Sequence, residues 1–300
     1  MNDRPFVAMN MLNANETPLA IGWLNDREPY DRKARSPEVL DVFLSDLEKT
    51  HIKLADLGCG TGSNSLFLSE TLNSRPAEFH LVEREAYLLE EARRRIKAAN
   101  AGCWEERNEV VYLQKGDYRH TFYFYNELAS EFMRRDVDVQ AACASALFDL
   151  FTEDEFNDLL KGLKPRKRSL YGVLNYCGTE FFPSRERDEK FVDFYEKHMS
   201  RQLQKGRPLG KRTMTYIQDA LNPAEGWDLT VSNSTWLLSA EDSEFIAQNL
   251  DFYEKAVPEL ILNREERTEF NEWMAEKRSM IAQRALEMRV YHRDFLARCL

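Results

Sequence analysis

Ile52-Lys53-Leu54-Ala55-Asp56-Leu57-Gly58-Cys59-Gly60-Thr61-Gly62-Ser63-Asn64 decides the fold. Its first six residues form a short apolar strand, and glycines at 58, 60 and 62 turn the chain sharply after it. Ser65-Leu66-Phe67-Leu68-Ser69-Glu70-Thr71-Leu72 then has helical apolar spacing. Strand, turn and helix in that order let the backbone pass close beneath a ligand, with the free N–H groups of the helix start facing its polar end. The dinucleotide fingerprint G-x-G-x-x-G also lies between a strand and a helix, but its third glycine would fall at Ser63. Asp56, two residues before the first glycine, would oppose a pyrophosphate and suits a cation.

Downstream, Phe79-His80-Leu81-Val82 reads as a second strand ending in Glu83, followed by a helical run from Tyr87 to Ile96. An acid at that strand tip can accept hydrogen bonds from both ribose hydroxyls of an adenosine. Glu85 reads instead as a first-turn carboxylate that favours the helix dipole. A third strand is expected at Val110 to Gln114, leading into Lys115-Gly116-Asp117-Tyr118, and a fourth at Val137 to Cys143. Ala144-Ser145-Ala146-Leu147-Phe148-Asp149-Leu150-Phe151 follows, then an amphipathic helix to Leu163 and a fifth strand at Ser169 to Asn175. Strands alternating with helices predict a parallel sheet covered on both faces.

D-L-G-C-G-T-G resembles motif I of the class I, Rossmann-like methyltransferases that use S-adenosylmethionine. The resemblance implies an α/β fold with a seven-stranded, mostly parallel sheet, in which Asp56 lies beneath the methionine part of the cofactor and Gly58, Gly60 and Gly62 line it. It implies further cofactor contacts from Asn64 and Ala144, a ribose contact from Glu83, and adenine contacts from Asp117 and Tyr118 in a K-G-D-Y stretch similar to the third motif. The segment Gly22 to Pro37, the Ala-Ser-Ala-Leu-Phe-Asp-Leu stretch and Val290-Tyr291-His292-Arg293-Asp294-Phe295-Leu296 together resemble a bacterial subgroup of these enzymes with no assigned acceptor.

The organisation expected is an N-terminal helical segment (1–50), a cofactor-binding core (51–176), a helical cap insertion (177–226), the last strands of the sheet (227–240) and C-terminal helices (241–300). Arg27, Arg32 and Arg35 read as a solvated face, or else Tyr30 or Arg35 closes over the cofactor, with arginine holding its carboxylate. In the insertion, a helix from Asp188 to Gln204 carries Tyr195 and His198, and a Gly/Pro break precedes a second helix near Thr213 to Leu221. Trp227 to Val231 and Ser234 to Leu238 are expected to pair as a hairpin turning at Ser232-Asn233, and Leu262 to Leu300 to form an almost unbroken helix.

The chain has 300 residues, 43% hydrophobic and 31% charged, with a formal charge of −10, a globular composition whose acidity disfavours a nucleic-acid acceptor. The basic run Lys164 to Arg168 reads as a solvated turn before a strand. Five scattered cysteines fit neither a disulfide framework nor a zinc site, so no metal is expected. No leader or membrane span is read, and a cytoplasmic protein is the expectation. A homodimer stays open. The function expected is methyl transfer to an O or N atom of a small metabolite, with Asp149 and His198 as candidate bases and Tyr30, Tyr195 and His198 as acceptor contacts. The alternatives are a side chain of a peptide natural product or protein as acceptor, an NAD(P) or nucleotide-sugar enzyme on the same fold, and a non-catalytic cofactor-binding scaffold.

Overall fold

A computed structural model describes residues 17–47 and 51–300, so the stretch 1–16, on which the reading of no leader rests, lies outside the described residues. Helices α1 (Thr17–Ala34) and α2 (Pro37–Asp46) precede β1 (Ile52–Leu57), α3 (Ser63–Thr71), β2 (Ala77–Val82) and α4 (Ala86–Ala99). Then come β3 (Trp104–Arg107), β4 (Val110–Lys115), β5 (Tyr118–Tyr125), α5 (Ala129–Arg134), β6 (Ala141–Ser145), α6 (Glu153–Leu163) and β7 (Ser169–Phe182). The chain ends through α7 (Asp188–Met199), α8 (Thr213–Ala220), β8 (Trp227–Asn233), β9 (Trp236–Leu238), α9 (Ser243–Ala256), α10 (Arg264–Ala282) and β10 (Glu287–Cys299).

These elements build one mixed sheet in the order β3-β4-β5-β2-β1-β6-β7-β10-β8, with β9 paired to β10 beside β8. The central run β5-β2-β1-β6-β7 is parallel, and its inner strands β2, β1 and β6 are mostly buried, as strands covered on both faces must be. One apolar cluster packs β1 and β2 against α2, α3 and α4; a second packs the other face against α5, α6 and α8. A third joins α7, α9 and α10 to β9 and β10. α6 starts where a sequence rule says it should: Glu155 N–H donates to Thr152 Oγ1 at 3.2 Å, and Thr152 N–H to Glu155 Oε2 at 2.8 Å.

The sheet departs from the sequence expectation in three places. Val110 to Gln114 is not a parallel strand; β4 is the middle of an antiparallel meander, and the third parallel strand is β5. Gly116, at φ +60, turns the β4–β5 hairpin. Trp227 to Val231 and Ser234 to Leu238 do not pair with each other, because β10 enters between β7 and β8 and takes both β8 and β9 as antiparallel neighbours. The long C-terminal helix therefore stops at Ala282, and Glu287–Cys299 is strand, with Met288, Val290, His292 and Asp294 buried at every second position. β7 itself runs on to Phe182, so the helical insertion begins later than 177.

Candidate cofactor and acceptor site

At the carboxyl ends of the parallel strands, where such sheets bind ligands, a cavity of about 220 Å³ opens above the glycine turn. Gly58, Gly60 and Gly62 all hold left-handed backbone. A Cβ on Gly58 would sit 2.6 Å from Leu147 Cδ1, and one on Gly60 would point toward Leu24 of α1 at 3.5 Å. Gly62 serves another purpose: it lies against Ala92 of α4, where a Cβ would come within 3.0 Å, and it does not line the cavity. Its expected cofactor contact is thus corrected to a helix-packing role.

Asp56 is buried beneath the turn and accepts hydrogen bonds from Asn64 Nδ2 at 2.7 Å and Ser65 Oγ at 2.6 Å. Burial pushes its carboxyl above the usual range, while the two donors pull it back. Arg35 does not reach the cavity; its guanidinium donates to Asn64 Oδ1 at 2.8 Å and lies over the Phe67 ring, so it braces Asn64 against Asp56. Glu83 follows the last residue of β2 and is buried against the turn, its Oε2 accepting from Gly60 N–H at 3.1 Å and its Oε1 from Glu85 N–H at 3.0 Å. Burial raises its carboxyl, and both N–H groups oppose the shift. Two further turn amides are used inside the protein: Cys59 N–H donates to Val82 O at 3.1 Å and Gly62 N–H to Cys59 O at 2.8 Å.

Asp117 and Tyr118 stand exposed on the β4–β5 turn, at the start of β5. Parallel strands bind at their carboxyl ends, so that turn lies at the opposite edge of the sheet and the adenine contacts expected there are corrected. The corresponding carboxyl end of β5 brings Glu127, Leu128, Ala129 and Ser130 to the cavity instead. Ala144 is buried inside β6, and the cavity wall begins one residue later, at Ser145, Ala146 and Leu147.

Helix α1 roofs the cavity with Trp23, Leu24 and Arg27. Arg27 is buried, not solvated: its Nε donates to Asp31 Oδ2 at 2.9 Å and its Nη2 to Asp31 Oδ1 at 3.2 Å, and Trp236 Nε1 donates to the same Oδ1 at 3.1 Å. Arg95 of α4 donates to Thr61 O at 3.0 Å and pairs with Glu28, which ties α1 to the glycine turn. Tyr30 faces away, stacked on Phe245 with its hydroxyl donating to Asp242 at 3.0 Å, and lines neither cavity described here. That packing corrects its expected acceptor contact.

Across Trp23, Arg27 and Ala146, which belong to both walls, lies a second cavity floored by Asp149 and walled by Tyr176, Tyr195, Trp236, Tyr253 and His292. Asp149 is on a short 3-10 turn directly after the Ser145–Leu147 wall, and burial pushes its carboxyl up to about 6 although Arg27 draws it down. Tyr195 stacks on Tyr253 at 4.4 Å. His198 is corrected: it is wholly buried, its Nε2 bonds Glu259 at 2.6 Å, and it lines neither cavity. It joins α7 to the turn after α9. Trp23, Arg27, Trp236 and His292 were not foreseen as lining residues; of these, only the aromatic and basic richness of Gly22 to Pro37 was a visible signal.

Among the described residues no cluster of three or more His, Cys, Asp or Glu could hold a metal, and no helix is long and apolar enough to cross a membrane. No protein-family model matches the chain, and no curated protein matches it. Among solved structures it is similar to the plantazolicin methyltransferase BpumL in complex with S-adenosylhomocysteine, at 14% identity and a TM-score of 0.43, covering 95% of this chain and 93% of that one. It is similar to the YcgJ protein of Bacillus subtilis at 10% identity and a TM-score of 0.46, covering 87% and 96%. It is also similar to phosphoethanolamine N-methyltransferase 2 of Haemonchus contortus in complex with S-adenosyl-L-methionine, at 13% identity and a TM-score of 0.41; there the match covers 87% of this chain and 51% of the other, about half its length. These likenesses are distant, and the functional reading rests on the chain's own residues.

Proposed function

We propose that the chain is a methyltransferase that binds S-adenosylmethionine above the glycine turn and methylates an O or N atom of a small metabolite in the second cavity. One observation carries this reading: two buried carboxylates, Asp56 and Glu83, stand at the glycine turn. A dinucleotide site needs free backbone N–H groups for its pyrophosphate. Here the amides of Cys59, Gly60 and Gly62 are all used inside the protein, and the acceptor on Gly60 is the Glu83 carboxylate. With Asp56 buried below and Glu83 alongside, the turn offers negative charge, which favours a ligand bearing a sulfonium and an ammonium over one bearing phosphates.

The residues present fit such a cofactor. Gly60 leaves room for close approach, and Glu83 keeps acceptor capacity for ribose hydroxyls beyond its two N–H partners. Val82, Leu128 and Leu147 give apolar walls for a base, and the polar tail would lie nearer Asp56, Asn64 and the Arg27–Asp31 pair. When bound, the sulfonium supplies an already activated methyl group. What remains for the protein is to orient an acceptor, exclude water and hold a proton. Trp23, Leu24 and Arg27 on α1 exclude water, and Tyr195 and Asp149 stand where an acceptor would be oriented. The second cavity holds only about 70 Å³, which favours a small molecule over a side chain of a folded protein. Isothermal titration tests the reading: S-adenosylmethionine and S-adenosylhomocysteine should bind and NAD should not, whereas preference for NAD would overturn it.

A further inference from the structure

The second cavity holds polar groups that the protein itself leaves unused. Trp23 Nε1, Asp149 Oδ1, the Tyr253 hydroxyl and His292 Nδ1 are buried on residues lining it, and none has a hydrogen-bond partner among the described residues. Buried polar atoms are ordinarily paired, so four around one cavity mark positions that a ligand completes. The backbone is also strained at this wall: Ala146, shared with the cofactor cavity, and Leu174 both hold left-handed conformations, at φ 50 and φ 58. Such strain in a non-glycine residue concentrates at functional sites.

The charges around the cavity do not cancel. Arg27 from α1 is matched by Asp31, which binds it through two hydrogen bonds. His292 from β10 stays neutral, since burial pushes its pKa down to about 3. Burial keeps the thiol of Cys177 on β7 and the phenols of Tyr176 on β7, Tyr195 on α7 and Tyr253 on α9 protonated. The Asp149 carboxylate is left over, with aromatic rings around it. A buried unpaired carboxylate is costly, and a cation relieves that cost while gaining attraction to aromatic faces.

We infer that the acceptor is a small monocationic amine, its ammonium set against the Asp149 carboxylate and its apolar body against Tyr195, Tyr253 and Trp236. The inference rests on the methyltransferase reading and narrows it from O or N to nitrogen. Asp149 takes one proton from the ammonium, which frees the nitrogen lone pair. The C–N bond forms as the C–S bond breaks, the bonding pair leaves with sulfur, and the product is a methylated ammonium beside a protonated Asp149 that returns its proton to water. A neutral alcohol would leave the carboxylate uncompensated, and an anion would oppose it.

Calorimetry on the full chain with phenethylamine and its neutral analogue 2-phenylethanol, with S-adenosylhomocysteine present, tests this between pH 5 and 8. The amine should bind at least about tenfold tighter than the alcohol at pH 8, and the preference should shrink as pH falls through about 6 and Asp149 takes a proton. Asp149→Asn should erase the preference and leave S-adenosylhomocysteine affinity within about threefold. Absence of amine binding, a preference independent of pH, or a preference that survives Asp149→Asn overturns the inference; the pH series on the unaltered protein decides the matter even if the variant does not fold. Amine binding without S-adenosylhomocysteine binding would instead overturn the donor reading alone.

Discussion

The Glu83 carboxylate accepts the Gly60 N–H at 3.1 Å, so the end of β2 is fastened to the middle of the turn that follows β1. The second oxygen of Glu83 accepts from Glu85 N–H at 3.0 Å, which also fixes the start of α4. One buried acid thus sets the shape of the turn and faces the cavity above it. The same anion occupies the amide a phosphate would need, which links a local hydrogen bond to the choice of ligand.

Glu83→Ala should weaken S-adenosylmethionine binding by about 1.5–3 kcal/mol, the range for hydrogen bonds to a charged group. The loss should be much smaller for a 2′,3′-dideoxy analogue, in which the ribose donors are absent. Calorimetry on both ligands separates the two contributions of Glu83. Any drop that persists with the dideoxy compound measures support of the turn, and equal drops with both would remove Glu83 from ribose binding.

Gly60→Val should abolish cofactor binding in a folded protein. Its φ of +54 costs a side chain about 1–2 kcal/mol, and the Cβ would project toward Leu24 across the cavity. Circular dichroism should show a native fold while titration with S-adenosylmethionine shows no heat. Unchanged affinity would place the cofactor elsewhere.

What the sequence made legible was local. Asp56, Gly58, Gly60, Asn64 and Glu83 lie at strand ends next to their turns, and the chemistry of a glycine or a strand-tip acid declares itself within a few residues. Asp117 and Tyr118 misled because an apolar run resembles a parallel strand whichever way it runs; Lys115-Gly116-Asp117 between two alternating segments was a hairpin signal. β10 was hidden by charged residues on its exposed positions, although Met288, Val290 and His292 alternate with Glu287, Arg289 and Tyr291 at the period of two. Of the second cavity only Asp149 and Tyr195 were picked out in the sequence; that they meet Trp236, Tyr253 and His292 there was not legible, since those contacts are distant in sequence.

Tyr195 and His198 are neighbours on α7 with different prospects. Tyr195→Ala opens the aromatic wall, and it should leave the dissociation constant for S-adenosylmethionine within about threefold while methyl transfer falls by about tenfold or more. His198→Ala removes a buried ring and its bond to Glu259, so it should lower stability by about 1–3 kcal/mol and remove no ionisation from the pH profile of turnover. Chemical denaturation and initial rates on the two variants distinguish them. A turnover defect in His198→Ala at full stability would return that histidine to the site.

His292 should make the fold sensitive to acid. Burial, reinforced by Arg27, lowers its pKa from 6.5 to about 3, so the folded protein holds it neutral. The unfolded chain binds a proton below pH 6.5 that the folded chain refuses, and stability from this group is therefore full above about 6.5 and declines as pH falls toward 3. At pH 5 the loss is about 2 kcal/mol, from 1.36 kcal/mol per unit over the interval below 6.5. The raised carboxyls of Asp56, Glu83 and Asp149 act in the opposite sense, so the effect is read as a difference between proteins. Urea denaturation at pH 7 and pH 5 should show that His292→Phe has lost about 2 kcal/mol less on acidification than the unaltered chain. Parallel losses in the two proteins would mean that His292 is protonated, or reaches water, in the folded state.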